Sequence, residues 1–352
     1  MRLAVIPGDG VGNEVIPVGL DALRRVGAVT GSFDIRTTDL DWSCERYLRT
    51  GHCMPADALA ILQQHDAIYF GAVGHPDVPD HLSLWELLIP IRQGLDLYVN
   101  LRPVRVLEGI ASPLRNGTPQ TVDILCVREN TEGEYTDLGG RFHRGSPDEL
   151  ALQTSLYTRR GIERVVRYAF DRARERKRTL ASATKSNALT YTAVLWDDVV
   201  NDIAQEYPDV SVTSYLIDAL AARFVYAPES LDVVVASNLY GDILTDIGAA
   251  LQGSLGLAGS ANLDPERRHP SLFEPVHGSA PTIAGKNVVN PMAAIWAAVL
   301  MLEHLGEREG AALLMRAIEH VARRGPHTRD IGGTGTTTEV GVAIVGAIGK
   351  PA

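Results

Sequence analysis

Short apolar runs bounded by turn residues alternate along this chain with segments whose apolar positions recur at helical spacing. Leu3–Ile6, Ala67–Phe70, Ile124–Val127 and Asp232–Ala236 read as buried strands. A helix is expected from about Asn13, and another near Asp242. Ile162, Val165, Val166, Ala169, Phe170 and Ala173 place an apolar stripe on an arginine-rich helix. Strands alternating with helices predict an α/β protein with a largely parallel or mixed sheet. The apolar stretch Ala293–Leu302 is about half the length needed to span a bilayer and fits a buried helix.

Composition narrows the class. The 352 residues are 45% hydrophobic and 22% charged, enough to bury a large core and to divide into two lobes. A net charge of -10 argues against general affinity for nucleic acid or an anionic membrane, while leaving room for a local basic pocket. Acids interleave the basic residues between Arg159 and Arg178, so that stretch reads as a solvated helix face. Cys44, Cys53 and Cys126 form no CxxC pair, which fits reduced thiols and a cytoplasmic location. The apolar run in Met1–Pro7 is too short for a signal peptide.

Candidate chemistry begins at Asp242 and Asp246. Four residues apart on one helix, they share a face and repel by roughly 0.2–0.5 kcal/mol when solvated. Carboxylates without nearby His or Cys favour magnesium, manganese or calcium over zinc, and a solvated first helical turn is the alternative. Gly8-Asp-Gly10-Val-Gly12 follows the first strand, but Asn13 stands where a dinucleotide fingerprint needs its last glycine, so tight turning explains the glycines better. Arg92, Arg102 and Arg128 are guanidinium forks that would hold a di- or tricarboxylate if they converged. Tyr135 and Lys185 are candidate proton carriers. Glu274–Gly285, rich in small and turn-forming residues, is expected to be an irregular loop able to wrap a flat ligand.

In chain order, Ile6-Pro-Gly-Asp-Gly10, Gly71-Ala-Val-Gly74, Asn100-Leu-Arg-Pro103, Arg128-Glu-Asn-Thr-Glu-Gly-Glu-Tyr135, Thr184-Lys-Ser-Asn187, Ile217-Asp218, Asn238-Leu-Tyr-Gly-Asp242, Glu274-Pro-Val-His-Gly278 and Asp330-Ile-Gly-Gly333 resemble the β-decarboxylating dehydrogenases. That family includes isocitrate, isopropylmalate, homoisocitrate and tartrate/D-malate dehydrogenases. Ser83-Leu-Trp85, Ser182–Asn187, Val235–Asn238 and Ser260–Glu266 look most like the tartrate/D-malate branch.

The resemblance implies an isopropylmalate dehydrogenase-like two-domain fold with a mixed sheet, distinct from a Rossmann fold. The large nucleotide-binding domain would take residues 1–99 and 252–352, and the small domain 100–251. It implies a homodimer with active sites shared between chains and an NAD-dependent oxidation of a D-malate- or tartrate-like 2-hydroxy acid, with or without β-decarboxylation. Arg92, Arg102 and Arg128 would hold carboxylates. Asp242, Asp246 and the partner chain's copy of Asp218 would hold magnesium or manganese, with a potassium requirement left open. Lys185, also contributed across the interface, would take the hydroxyl proton and Tyr135 would return a proton to the enol. Glu274, His277, Gly278, Ser279, Ala280, Thr282, Ile283, Asn290 and Asn187 would contact NAD.

Two positions depart from the family pattern. Glu86 replaces the serine or glycine expected six residues before Arg92; facing the substrate, it would repel a third carboxylate and disfavour isocitrate. Leu88 and Ile89 keep an apolar neighbourhood that leaves 3-isopropylmalate or another 3-substituted malate as the enzymatic alternative. Thr282 replaces the aspartate typical of NAD users, so NAD is expected with weakened discrimination against NADP. A catalytically idle regulatory homologue is the non-enzyme alternative.

Overall fold

The computed structural model describes residues 1–350. Its strands are β1 (Arg2–Gly8), β2 (Arg36–Asp39), β3 (Ala67–Ala72), β4 (Val99–Arg105), β5 (Asp123–Glu129), β6 (Gly139–Phe142), β7 (Leu150–Gln153), β8 (Thr179–Thr184), β9 (Ser211–Leu216), β10 (Val233–Ala236), β11 (Gly259–Leu263) and β12 (Ser271–Pro275). Ten form one sheet in the order β2-β1-β3-β12-β11-β4-β5-β10-β8-β9, while β6 and β7 make a separate antiparallel ribbon. Both wings are parallel, and the centre, β12-β11-β4-β5, is antiparallel. The expected α/β class with a mixed sheet is therefore present.

Burial explains the apolar runs. Every residue of β3 and of β10 is buried, as expected for parallel strands covered by helices on both faces. The helix Met292–Leu305 is buried without interruption from Met292 to Leu302. The arginine-rich helix, Arg159–Arg174, turns Ile162, Val165, Val166, Ala169, Phe170 and Ala173 inward. Its outer face is laced by pairs such as Arg167–Glu206 and Arg174–Asp209, both at 2.7 Å.

Strands from residues 1–99 and 252–350 and strands from residues 100–251 meet inside one sheet. β4 opens at Val99 and pairs with β11 on one side and β5 on the other. Register in this antiparallel centre sets the chemistry of one face. Glu274 lies opposite Ser260, which shares a row with Arg102, whereas Arg128 pairs with Asn100, opposite Asn262. The two rows flank the one through Leu101 and Ala261, so period-two alternation puts Glu274, Arg102 and Arg128 on the same face.

Two local expectations are corrected. Glu274 lies within strand β12 rather than opening an irregular loop, because its backbone pairs with Ser260. The helix bearing the paired aspartates starts at Asn238, four residues ahead of the expected position, so Asp242 stands in its second turn.

His304, at the end of the long buried helix, has its pKa lowered to about 4 by burial, with Arg267 adding repulsion. Between that value and its ordinary 6.5 the unfolded chain binds more protons than the native one, so stability falls as pH drops through this window. His304→Gln should remove up to about 2 kcal/mol of the loss between roughly pH 7 and pH 5. Urea unfolding at both pH values, wild type against variant, checks it; equal losses would remove His304 as the cause.

Candidate active site

Arg92, from the helix Ile89–Gly94, leans over the polar face of the central strands, where its Nη2 donates to Glu274 Oε1 at 2.8 Å. Arg102 donates through Nη1 to Thr245 Oγ1 at 2.7 Å and lies 3.5 Å from Asp242 Oδ1. Arg128 is held more tightly: Nε and Nη2 donate to Asn238 Oδ1 at 3.1 and 2.7 Å, and Nη1 to Asp242 Oδ1 at 2.5 Å. Tyr135 Oη donates to the other Asp242 oxygen at 3.1 Å. Arg92, Arg102, Arg128, Tyr135, Asp242, Glu274, His277 and Leu88 line one cavity of about 200 Å³. Convergence, which spacing left open, is thus present within a single chain.

Three guanidiniums share this cavity with only two partner carboxylates. Burial pulls the Arg128 pKa down to about 10, with Arg102 adding repulsion and Asp242 opposing it. Arg102 is shifted the same way, again mainly by burial. The Nε atoms of Arg92 and Arg102 are buried without an acceptor. Three guanidiniums around a small cavity, outnumbering the carboxylates beside them, suit an anion with carboxylate geometry. Below them a buried amide network fixes the floor: Asn262 Nδ2 donates to Glu274 Oε1 at 2.8 Å, and Asn100 and Asn130 both donate to Asn262 Oδ1, at 3.0 and 2.9 Å. Asn100, Asn262 and Thr245 were missed as site residues; asparagines within apolar strand sequence were the available signal.

A second cleft, of about 770 Å³, runs between Val73–Asp80 and Gly278–Pro281. Both hollows share Val73, Leu84 and Gly278, so a long ligand in the cleft would end against a small anion beside the arginines. The Gly8–Val11 turn ties the two walls together. Asp9 accepts from the Gly74 N–H at 3.0 Å, and Val11 N–H donates to Ser279 O at 2.9 Å. A Cβ at Gly10, whose φ is +57°, would fall 2.1 Å from that Ser279 oxygen. These glycines serve tight turning and close approach, as their spacing indicated.

Residues 2–344 match the family model described as isocitrate/isopropylmalate dehydrogenase. The chain belongs to the isocitrate/isopropylmalate dehydrogenase family. A probable tartrate dehydrogenase/decarboxylase of Agrobacterium vitis is 50% identical over 348 residues, 99% of this chain and 97% of the relative. The D-malate dehydrogenase [decarboxylating] of Escherichia coli strain K12 is 51% identical over 352 aligned positions, covering 98% of this chain and 97% of that enzyme. Among solved structures, isocitrate dehydrogenase from Methylococcus capsulatus superposes with a TM-score of 0.90 at 32% identity, covering 99% of both chains. This isocitrate/isopropylmalate dehydrogenase family member is accordingly an oxidoreductase with the family's α/β fold.

Within the family member, the remaining candidates divide. Gly278, Ser279 and Ala280 line the larger cleft, whereas Thr282 and Ile283 are exposed beyond it, with the Thr282 carbonyl accepting from Lys286 Nζ at 2.7 Å. Asn290 is buried, donating to Asp330 at 3.1 Å and accepting from Met292 N–H at 3.0 Å. Glu274, expected to touch cofactor, lines the arginine cavity as the carboxylate partner of Arg92. Glu86, expected to face the substrate, does not line the arginine cavity. The turn Leu84–Leu88 is π-helical, closed by an Ile89 N–H to Leu84 O bond, and sends Leu84 and Leu88 into the cavity while Glu86 lies 3.5 Å from His52 Nδ1.

Lys185 and Asp218 form their own ion pair, at 2.7 Å, outside both hollows. Asp218 is 66% exposed, and Asn187 beside Lys185 is exposed as well. Among the described residues no three His, Cys, Asp or Glu side chains gather into a metal cluster. Asp242 and Asp246 nonetheless fit a divalent cation. Burial and the Asp242 charge push the Asp246 carboxyl up, strain that a bound cation would relieve, and both donors are hard oxygens. Asp242 itself is held below the ordinary range: burial opposes its charge, but Arg128 and Arg102 outweigh it. Excess manganese should raise the unfolding temperature by a few degrees. Asp246→Asn should lose most of that shift; an unchanged shift in the variant would remove Asp246 from the metal site.

Proposed function

We propose that the chain is an NAD-dependent, divalent-metal-dependent dehydrogenase that oxidises a D-malate- or tartrate-like 2-hydroxy acid and decarboxylates the resulting β-keto acid. The coarser statement, an oxidoreductase for oxidative decarboxylation of a hydroxy acid, rests on the relatives at about 50% identity. The observation carrying the finer reading is the convergence of Arg92, Arg102, Arg128, Tyr135 and Asp242 on one small cavity opening onto the larger cleft.

Arg102 and Arg128 would orient the substrate carboxylates, directing C2–H toward the cleft shared through Gly278 and Leu84. As C2–H leaves as hydride, the hydroxyl proton passes to Lys185 and the C2 carbonyl forms. A divalent cation bound by Asp242 and Asp246 would lower the hydroxyl pKa and draw electron density toward the carbonyl. The C3–carboxylate bond then breaks, carbon dioxide leaves with the bonding electrons left behind as an enolate, and Tyr135 delivers a proton to C3, which restores the C2 ketone. Arg128, its guanidinium carbon 5.6 Å from the Tyr135 ring centroid, counters the negative charge a phenolate would carry.

Because Lys185 and Asp218 lie outside the cavity of their own chain, the reading includes a homodimer in which each copy supplies them to its partner. Large exposed apolar side chains on the same stretches support this: Leu189 and Tyr191 follow Lys185, and Val225 and Tyr226 end the helix begun at Ile217. The cavity's Leu84, Leu88 and Val73 favour 3-isopropylmalate as the second reading, since they present an apolar wall to a substituent at C3. The discriminating assay offers D-malate, the tartrates, 3-isopropylmalate and isocitrate with manganese and NAD or NADP, following reduced nucleotide and carbon dioxide. Turnover of D-malate or a tartrate is expected. Turnover of isocitrate alone, or equal efficiency with NADP, would refute the substrate or the NAD assignment respectively.

A further inference from the structure

Glu14 opens the helix Gly12–Thr30, whose N-terminus has no side-chain cap, yet its carboxylate is turned away from its own helix. Oε1 accepts the Gly285 N–H and Oε2 the Asn287 N–H, both at 2.8 Å. Asn287 takes a left-handed φ of 56° and is gripped from its other side. Its carbonyl accepts from Thr337 N–H at 3.0 Å, and its Oδ1 accepts from Thr338 N–H and Oγ1 at 3.1 and 3.0 Å. The stretch that starts as the wall of the larger cleft, Gly278–Pro281, is thereby anchored at its far end by a bidentate carboxylate. Its near end is anchored by the Val11–Ser279 bond, and Val11 lies three residues before Glu14.

We propose that Glu14 is a positioning residue for cofactor binding: it holds the 278–287 loop in its receptive shape before the nucleotide arrives. This rests on reading the larger cleft as the nucleotide site. An exposed, turn-rich loop would otherwise pay its ordering cost on binding, and two charge-assisted bonds to backbone N–H groups pay it in advance. The effect belongs to nucleotide affinity, because Glu14 lines neither the cleft nor the arginine cavity.

Glu14→Ala should raise KM for the dinucleotide by about ten-fold or more, leaving kcat and the KM for the hydroxy acid within about two-fold. Glu14→Gln keeps only one acceptor oxygen and should fall between wild type and alanine. Amide hydrogen exchange on the ligand-free protein gives an independent readout: Gly285 and Asn287 should be protected in wild type and exchange faster in Glu14→Ala, with the sheet amides unchanged. An unchanged dinucleotide KM, or a uniform loss across both substrates, would overturn the proposal. If exchange changes as expected but titration with NADH shows no binding to wild type, the clamp stands and the nucleotide reading of the cleft fails.

Discussion

Replacing Lys185 by alanine lowers kcat about 10²–10⁴-fold, with the substrate KM changed far less. The size follows from the role: proton removal from the hydroxyl must accompany hydride departure, and no other base is positioned for it in the reading above. Among the described residues Lys185 is paired with Asp218, and it does not line the arginine cavity, so the same variant also tests where the site is assembled. Co-refolding Lys185→Ala chains with chains inactivated in the arginine cavity should restore about a quarter of wild-type activity. Half of randomly formed dimers would be mixed, each with one intact site of two. No recovery on mixing, with mixed dimers demonstrably formed, would show that each chain uses its own lysine.

The second large effect concerns Arg128, a natural partner for that mixing experiment. Arg128→Lys keeps the charge but cannot reproduce the fork that reaches Asn238 twice and Asp242 once. kcat/KM for the hydroxy acid should fall about 10²–10³-fold, equivalent to roughly 3–4 kcal/mol of lost transition-state binding. Stability should drop by about 1–3 kcal/mol, since Asn238 Oδ1 is left without its buried donor. Steady-state kinetics and urea unfolding separate the two losses. A variant retaining kcat/KM within ten-fold would show that Arg128 holds the fold and not the substrate.

Much of the fold was legible because apolar periodicity reports burial directly. Val233–Ala236 and Ala67–Phe70 are buried on both faces, which suits short apolar runs in parallel strands covered by helices. The helix start before Asp242 was misplaced because Asn238, Tyr240 and Gly241 are weak helix formers. Tertiary contact decided it: Asn238 is held by Arg128 from β5 and donates to Glu132 O at 3.0 Å. Glu274 was misread as loop for a related reason, since Pro275 marks a turn locally while pairing with β11 keeps the strand going to that residue.

The site divides in the same way. By itself the sequence determined which groups are available: three arginines, one tyrosine, one lysine and carboxylates in the order of a known family, together with the helical face shared by Asp242 and Asp246. Only the tertiary structure decided that strand register carries Glu274, Arg102 and Arg128 to one face. It also decided that a π-helical turn swings Glu86 toward His52 and Leu84 into the cavity. Lys185 and Asp218 remain outside their own chain's cavity for a similar reason. Residue type is a local property read from the chain, whereas convergence depends on non-local pairing and on turns whose geometry spacing does not encode.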